Sequence, residues 1–120
     1  MIMREKLKKD LFDKRITDIV ANRIYLIHVP EGEECGDIYI EYMFYNKSKT
    51  DYSSNRALYR KHYIQIDIFS IGDFTDLENA LEEVLQEKGY CDIESVDGFE
   101  EKTKLYTLKY RCTYKERLNA

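Results

Sequence analysis

The sequence predicts an α+β fold, with a mainly antiparallel sheet flanked by helices in the order α-β-β-β-α-β-β. One observation is the alternation of aliphatic and polar residues over residues 63–68, which is typical of a half-buried strand. Another is the helical spacing of apolar residues over 77–85. The third is that several predicted strands follow one another with no helix between them, which favours antiparallel pairing.

The strand and helix between His62 and Tyr90 are the clearest elements. In the strand, one face is aliphatic and the other is mostly polar: Ile64, Ile66 and Ile68 alternate with Tyr63, Gln65 and Asp67. Residues 75–78, Thr-Asp-Leu-Glu, have the spacing of a capping box at a helix start. Gly89 is expected to end this helix in a left-handed conformation, with Tyr90 folding back onto Leu85. We therefore expect a helix lying across the aliphatic face of a strand.

The N-terminal third predicts a helix and then a first strand. Residues 2–20 have helical spacing, but the apolar stripes of the two halves point in different directions, which predicts a break near Asp10–Asp13. A first strand is predicted over Arg23–Val29 and ends at Pro30. An acidic loop is predicted over Glu31–Asp37.

The second strand and the segment after it differ sharply in pattern. Residues Ile38–Tyr45 are apolar on both faces, which predicts burial on both sides, within the monomer or in an assembly. Residues Asn46–Arg60 have weak periodicity and are rich in serine, lysine and asparagine. Long loops of this kind are usually functional or disordered. The sequence predicts a long flexible loop that acts as a binding arm.

The C-terminal part predicts two further strands. A short strand is predicted over Cys91–Val96, followed by a turn at Asp97–Gly98. The closing strand is predicted over Leu105–Tyr114, where apolar and polar residues alternate. Neither an internal repeat nor a linker is recognisable, so residues 1–120 are predicted to form one domain.

Composition narrows the classes of function. The chain has 120 residues, 35% of them charged, and a net charge of −4, which argues against a generic nucleic-acid binder. No apolar run approaches the ~20 residues that span a bilayer, so no membrane partner is predicted. Synthesis in the cytoplasm is expected because the N-terminus lacks the apolar core of a secretion signal. The three cysteines are expected to be reduced and partly buried.

Little in the sequence resembles an active site. His28 and His62 lie in or beside predicted strands without cysteine or carboxylate ligands at metal spacing, so both are interpreted as structural or surface residues. Asp67 is interpreted as a sheet-surface or interface charge. The sequence therefore disfavours an enzyme and predicts no cofactor and no metal.

Charge separation is the strongest functional pattern. Residues 46–61 carry five basic residues against Asp51, whereas the predicted helix is strongly acidic. Such a pair of surfaces suits head-to-tail contact between identical copies, which closes into a ring when the rotation permits. The predicted subunit-interface residues are Lys47, Lys49, Tyr52, Arg56, Tyr59, Arg60, Glu78, Glu82 and Glu83.

The pattern resembles the small tail-completion proteins of tailed bacteriophages and prophages, a group that includes tail terminators and head–tail joining proteins. The resemblance is carried by the leading helix and by four stretches: Asn22–Tyr25, Tyr63–Ser70, Gly72–Leu77 and Glu101–Tyr106. It implies a structural protein that caps the tail tube as a ring, commonly hexameric, and docks to the head connector. It also implies no enzyme activity, assembly in the host cytoplasm, a final place in the virion neck, and a loop that orders on assembly.

Two other interpretations stay open. One is a stand-alone protein- or nucleic-acid-binding module in which Tyr39, Tyr45 or Tyr63 stacks on bases. Such a platform normally places basic side chains beside its aromatic rings, whereas the central strand offers Gln65 and Asp67, so no specific nucleic-acid binding is expected. The other is a small-molecule enzyme with its pocket between helix and sheet.

Overall fold

Five strands form one sheet in the part of the chain that the structure describes. The computed structural model describes residues 2–53 and 55–118. The helices are α1 (Met3–Leu11), α2 (Lys14–Val20) and α3 (Thr75–Glu87), and the strands are β1 (Ile24–Leu26), β2 (Ile38–Ser53), β3 (Arg56–Ser70), β4 (Cys91–Glu100) and β5 (Leu105–Arg117). The spatial order of the strands is β1-β2-β3-β5-β4. β1 pairs with β2 in parallel, and every other pairing is antiparallel. The α+β fold with a mainly antiparallel sheet is confirmed.

The break in the N-terminal helical stretch lies where the rotated stripes predicted it. α1 ends at Leu11, and Asp13 begins α2 by accepting a hydrogen bond from the Arg15 backbone N–H at 2.9 Å. The bend lets both halves bury their apolar residues in one core, which includes Leu7 and Leu11 of α1 and Ile16 and Val20 of α2. The element order therefore begins with two helices instead of one.

All three helices contribute to a core on one face of the sheet, called here the helix side. Ile64, Ile66 and Ile68 of β3 are fully buried there, as their alternation predicts. α3 packs on them with its fully buried stripe, which consists of Leu77, Leu81, Val84 and Leu85. The opposite face is called the open side. There Tyr39 stacks on Phe69 with ring centroids 4.8 Å apart, and both rings are buried.

The two ends of α3 are built differently from each other. Gly89 has φ +91°, and the backbone N–H of Tyr90 donates to the Leu85 carbonyl at 3.0 Å, which together form the expected Schellman-type end. At the start, the Asp73 carboxylate accepts hydrogen bonds from the backbone N–H and the hydroxyl of Thr75. The capping-box prediction is wrong, because Thr75 is already helical and Asp73 fixes the turn before it.

A buried polar cluster ties α1 to the end of α3. The Asp10 carboxylate accepts hydrogen bonds from the Lys6 ammonium group and from the Tyr90 hydroxyl, the latter at 2.8 Å. The Lys6 ammonium group also lies 4.4 Å from the centre of the Tyr114 ring. Burial, followed by the hydrogen bond to Asp10, raises the pKa of Tyr90. The cluster therefore joins three elements through one buried carboxylate.

Residues 46–53 and 56–60 form strands and not a loop, which corrects the prediction made for Asn46–Arg60. β2 and β3 pair here from Asn46 opposite Tyr63 to Ser53 opposite Arg56. The residues 46–53 and 56–63 are called the arm. The arm contributes to an elongated shape, with principal extents of 52 × 28 × 26 Å.

Three other boundaries differ from the prediction. β1 has only three residues, because Ile27 has φ +69° and leaves the strand conformation. Asp97–Gly98 lies inside β4, opposite Leu108 and Thr107, and the turn falls at residues 101–104 instead. β5 continues beyond Tyr114 to Arg117, because Lys115, Glu116 and Arg117 pair with the base of the arm. The burial predicted for both faces of β2 holds near Ile40 but not at Tyr45, which is 41% exposed.

Candidate subunit interface

Six of the predicted interface residues lie on the arm. Lys47, Lys49, Tyr52 and Arg56 are exposed, whereas Tyr59 and Arg60 are half-buried. The structure thus places these residues on a pair of hydrogen-bonded strands instead of a loop. Among the described residues, none of the arm cations at positions 47, 49, 56 and 60 forms an ion pair. Their charge is therefore available to another molecule.

A β-bulge decides which side of the arm these cations occupy. The register of β2 against β3 shifts by one residue between Phe44 and Asn46, so Tyr45 is the extra residue. After the shift, Lys47 pairs with His62 and Lys49 with Arg60. Because side chains alternate along a strand, these four residues share the helix side of the sheet. Without the bulge, the two lysines would lie on the open side.

On the helix side, the base of the arm forms an open cavity of about 560 Å³. The buried His62 lies in it, with its Nε2 2.9 Å from Oε1 of the half-buried Glu116. The guanidinium group of Arg4 lies over the Phe44 ring at 5.2 Å. Lys47 and Arg60 also line the cavity, so basic groups surround a single carboxylate, that of Glu116. His62 is structural in the sense predicted, since it packs against Phe44 and pairs with Glu116.

On the open side, basic side chains lie against the tyrosine rings of the arm. Arg111 lies 5.0 Å from the centre of the Tyr45 ring, and Lys61 lies 5.4 Å from that of Tyr63. The Tyr59 ring is contacted by two further cations, Lys115 at 4.8 Å and Arg117 at 5.5 Å. Arg111, Lys115 and Arg117 come from β5, so a reading of β3 alone could not find them, whereas Lys61 lies two residues before Tyr63 on β3 itself. The tyrosines therefore have basic neighbours, contrary to the expectation, although Gln65 and Asp67 lie where expected.

The acidic face of α3 is divided between two environments. Glu83 is held within the subunit by Arg15 of α2, whose guanidinium group lies 2.7 Å from Glu83 Oε1 and 2.8 Å from Glu87 Oε2. The same Arg15 contacts Asp13, and these hydrogen bonds lower the pKa of Asp13 to about 2. Arg15 thus already pairs with Glu83 within the subunit, sharing one positive charge among three carboxylates.

Glu78 and Glu82 lie on the other part of α3, close to the edge strand β4. Both are half-buried, and burial followed by the charges of Glu82 and Asp97 raises the pKa of Glu78. Beneath them is the fully buried Tyr110, whose hydroxyl has no hydrogen-bond partner among the described residues. Burial, followed by the charges of Glu82 and then Glu78, raises the pKa of Tyr110. Glu78, Glu82 and Asp97 are called the acidic notch, and Asp97 is the member that the sequence reading missed.

The remaining candidate residues have local structural partners. His28 Nδ1 and the Val29 backbone N–H contact the Glu41 carboxylate, both at 3.1 Å, which fixes the chain after β1. Asp67 is half-buried and accepts hydrogen bonds from Gln65, and its burial raises its pKa. All three cysteines are free; Cys112 is buried, Cys35 is half-buried and Cys91 is exposed.

Two further findings concern the described residues as a whole. Residues 2–53 and 55–118 contain no group of three or more histidine, cysteine, aspartate or glutamate side chains arranged to hold a metal ion. Within the same ranges, no helix combines the length and the apolar character needed to cross a membrane.

Comparison with known proteins finds likeness in structure but not in sequence. No model of a known protein family matches the chain, and no curated protein matches it. Among solved structures, the chain is similar to one from the "Virion of native gene transfer agent (GTA) particle", with a TM-score of 0.64 and 13% sequence identity. The match covers 92% of this chain and 90% of that chain. The two chains share a fold.

Proposed function

We propose that this chain is a structural protein of a phage-like virion. The observation that carries the proposal is the fold shared with a chain of a gene transfer agent virion over 92% of this chain, with a TM-score of 0.64. Nearly the whole of both chains is covered, so the likeness extends beyond a common sheet motif. The order of elements and the stretches that resemble tail-completion proteins agree with this class of function.

Within the virion, we propose a place at the neck. The chain would form a ring that caps the tail tube and joins the tail to the head. The expected number of copies in the ring is six. Its partners would be further copies of itself, the tail tube protein and the head connector protein. The Gly72–Leu77 and Tyr63–Ser70 stretches that carry the resemblance form the α3 start and the central strand. Assembly would take place in the cytoplasm of the bacterial host.

The distribution of charge supports self-assembly. The arm carries basic side chains at positions 47, 49, 56 and 60 that form no ion pair among the described residues, and the acidic notch lies at the opposite edge of the sheet, next to β4. Two different complementary surfaces on one subunit make a heterologous contact, and such a contact generates a ring when the rotation closes. A role in assembly, and not catalysis, also accounts for His28, His62 and Asp67, each of which is held by local contacts.

Deleting the gene for this chain from an inducible element that produces particles tests the proposal. Electron microscopy of the lysate should show filled heads and unjoined tails, or tails of uncontrolled length. Uncontrolled length would identify a terminator, and unjoined tails of normal length would identify a joining protein. Complementation with the intact chain should restore joined particles. Normal particles from the deletion would contradict the virion role.

One observation favours a second function, a binding module for single-stranded nucleic acid. The open side of the arm places Lys61, Arg111, Lys115 and Arg117 against the rings of tyrosines, the combination that single-strand platforms use. Filter binding at low salt separates the two functions. Retention that falls steeply with added salt and is lost in Tyr59→Ala, Tyr63→Ala would support the module. No retention at low salt would remove it.

A further inference from the structure

The sheet has two open edges. β4 pairs only with β5, and residues 46–53 of β2 pair only with β3, among the residues that the structure describes. β1 covers β2 only at residues 40–42. The outward backbone N–H and C=O groups of an unpaired edge are a ready template for another strand.

The two edges carry opposite charge. β4 contains Asp92, Glu94, Asp97 and Glu100 and no basic residue, and of these acids Asp92 already lies 3.7 Å from the Lys61 ammonium group. The open part of β2 contains Lys47 and Lys49, and its one acid, Asp51, is already paired with Lys115. Edge strands that are protected only against aggregation commonly use lysine. A single-sign acidic edge facing a basic edge instead favours pairing between the two.

The charges also lie on matching sides of the sheet. Asp97 pairs with Leu108, a core residue, so its side chain lies on the helix side, where α3 presents Glu78 and Glu82. Lys47 and Lys49 lie on the helix side of the arm because of the bulge at Tyr45. If the sheet continues from one copy to the next with all helices on one side, the lysines and the acidic notch come to the same side.

The direction of the strands is compatible with such a continuation. β3 is antiparallel to both β2 and β5, and β4 is antiparallel to β5, so β4 runs opposite to β2. Copies that all point the same way therefore pair β4 with β2 in the antiparallel sense. Within one subunit Cys91 lies level with Asn46 through Thr113 and Tyr63, so the arm extends beyond the level of β4. Neighbouring copies must be staggered along the strands, as in sheets that close with tilted strands.

We propose that β4 of one copy pairs with residues 46–53 of β2 in the next copy, so that Lys47 and Lys49 contact the acidic notch. This contact rests on the proposed self-assembly and names the surfaces that make it. It is heterologous, since each copy offers β4 on one edge and the arm on the other. The buried Tyr110 hydroxyl lies behind the notch, where an incoming ammonium group would approach the carboxylates.

Disulfide trapping tests the contact directly. In full-length protein carrying Cys35→Ser and Cys91→Ser, one variant adds Asp97→Cys and a second adds Lys47→Cys or Lys49→Cys. Cross-strand neighbours place their Cβ atoms within the range that a disulfide needs. A mixture of the two variants, oxidised at high protein concentration, should yield a disulfide-linked pair. Each variant oxidised alone should yield at least tenfold less, because a heterologous contact never joins a patch to itself.

A matched variant distinguishes this contact from random collision. Ser48→Cys lies between the two lysines but on the other side of the strand, so it should link to Asp97→Cys at least fivefold less than the better lysine position does. Equal linkage at Ser48, or linkage of either variant with itself, would overturn the edge pairing. So would the absence of linkage in every mixture.

Charge exchange provides a second readout with its own control. With Lys47→Cys and Asp97→Cys as the linked pair, Lys49→Glu in the first copy and, separately, Glu82→Lys in the second copy should each reduce the trapped yield several-fold. Lys9→Glu in the first copy makes the same change of charge as Lys49→Glu at an exposed position outside both edges and should leave the yield unchanged. Failure of trapping beside a neck defect in the deletion would overturn only the edge pairing. Successful trapping beside normal particles in the deletion would overturn only the neck role.

Discussion

β2 and β3 run from the rest of the described residues, called here the body, into the arm, and the two regions are stabilised differently. In the body, β3 presents Ile64, Ile66 and Ile68 to three helices, and all three side chains are fully buried. In the arm, the same strand carries half-buried Arg60, Tyr59 and Leu58, with no apolar core of comparable depth. Hydrophobic burial holds the body, whereas backbone pairing and polar contacts hold the arm. The arm is thus free to display charge.

The largest expected effect separates the two regions by stability. Ile66→Ala in the body should lower the free energy of unfolding by about 2–5 kcal/mol, because it opens a cavity in a closed core. Tyr52→Ala near the arm tip should change it by no more than about 0.5 kcal/mol, since Tyr52 is 63% exposed. Urea unfolding of both variants measures the difference. Equal losses would contradict the division into a packed body and an exposed arm.

A smaller effect is expected at the polar cluster of the body. Tyr90→Phe removes the hydrogen bond to Asp10 and leaves a buried carboxylate with fewer partners, which should cost about 1–3 kcal/mol. Tyr59→Phe is the matched arm variant, because its hydroxyl accepts a hydrogen bond from Arg117 at an exposed site. Its unfolding midpoint in urea should stay close to that of the parent. A larger loss from Tyr59→Phe than from Tyr90→Phe would reverse the comparison.

Gly89 tests the turn that joins α3 to β4. Its φ of +91° lies in the region that side chains avoid, so Gly89→Ala should cost about 1–2 kcal/mol. The nearest atom to an added Cβ is 3.5 Å away, so strain of the backbone and not a clash causes the loss. Thermal unfolding of Gly89→Ala measures the loss, and an unfolding temperature equal to that of the parent chain would show that the helix end tolerates a side chain there.

The smallest expected effect depends on pH. Hydrogen bonds from Arg15 lower the pKa of Asp13 from 3.8 to about 2, so the ionised form is favoured in the folded state. The stabilisation is therefore fully present above pH 4 and is lost as the pH falls from about 4 to about 2. Asp13→Asn should flatten this part of the stability profile and leave neutral pH less affected. An unchanged acid limb in circular dichroism would show that Arg15 does not act through Asp13.

The spacing of apolar residues predicted the elements of the body well, because side chains that face its core recur at strand or helix spacing. The central isoleucines, the α3 stripe, the break before Asp13 and the left-handed Gly89 all follow from local spacing. The arm was missed because Asn46–Arg60 has solvent on much of both faces, so its strands carry no alternating pattern. Asp97–Gly98 was likewise taken for a turn, although an exposed edge strand tolerates both residues.

The candidate interface could be predicted only in part from the sequence, because its geometry depends on contacts between distant residues. The basic residues of the arm were recognised from composition. The side of the sheet on which they lie depends on the bulge at Tyr45, which could not be predicted from the residue types around it. The pairing of Glu83 with Arg15 joins residues far apart in sequence and depends on how α2 packs on α3. Asp97 joins Glu78 and Glu82 only once β4 is placed at the sheet edge.

Shortening the arm tests most directly whether the arm is needed for assembly of particles but not for folding of the chain. A chain in which residues 50–59 are replaced by Asn-Gly keeps the β2–β3 hairpin but shortens the arm. We expect it to unfold in urea close to the midpoint of the intact chain, and to leave heads and tails unjoined when it replaces the intact chain in the producing element. Normal joined particles from the shortened chain would contradict the account.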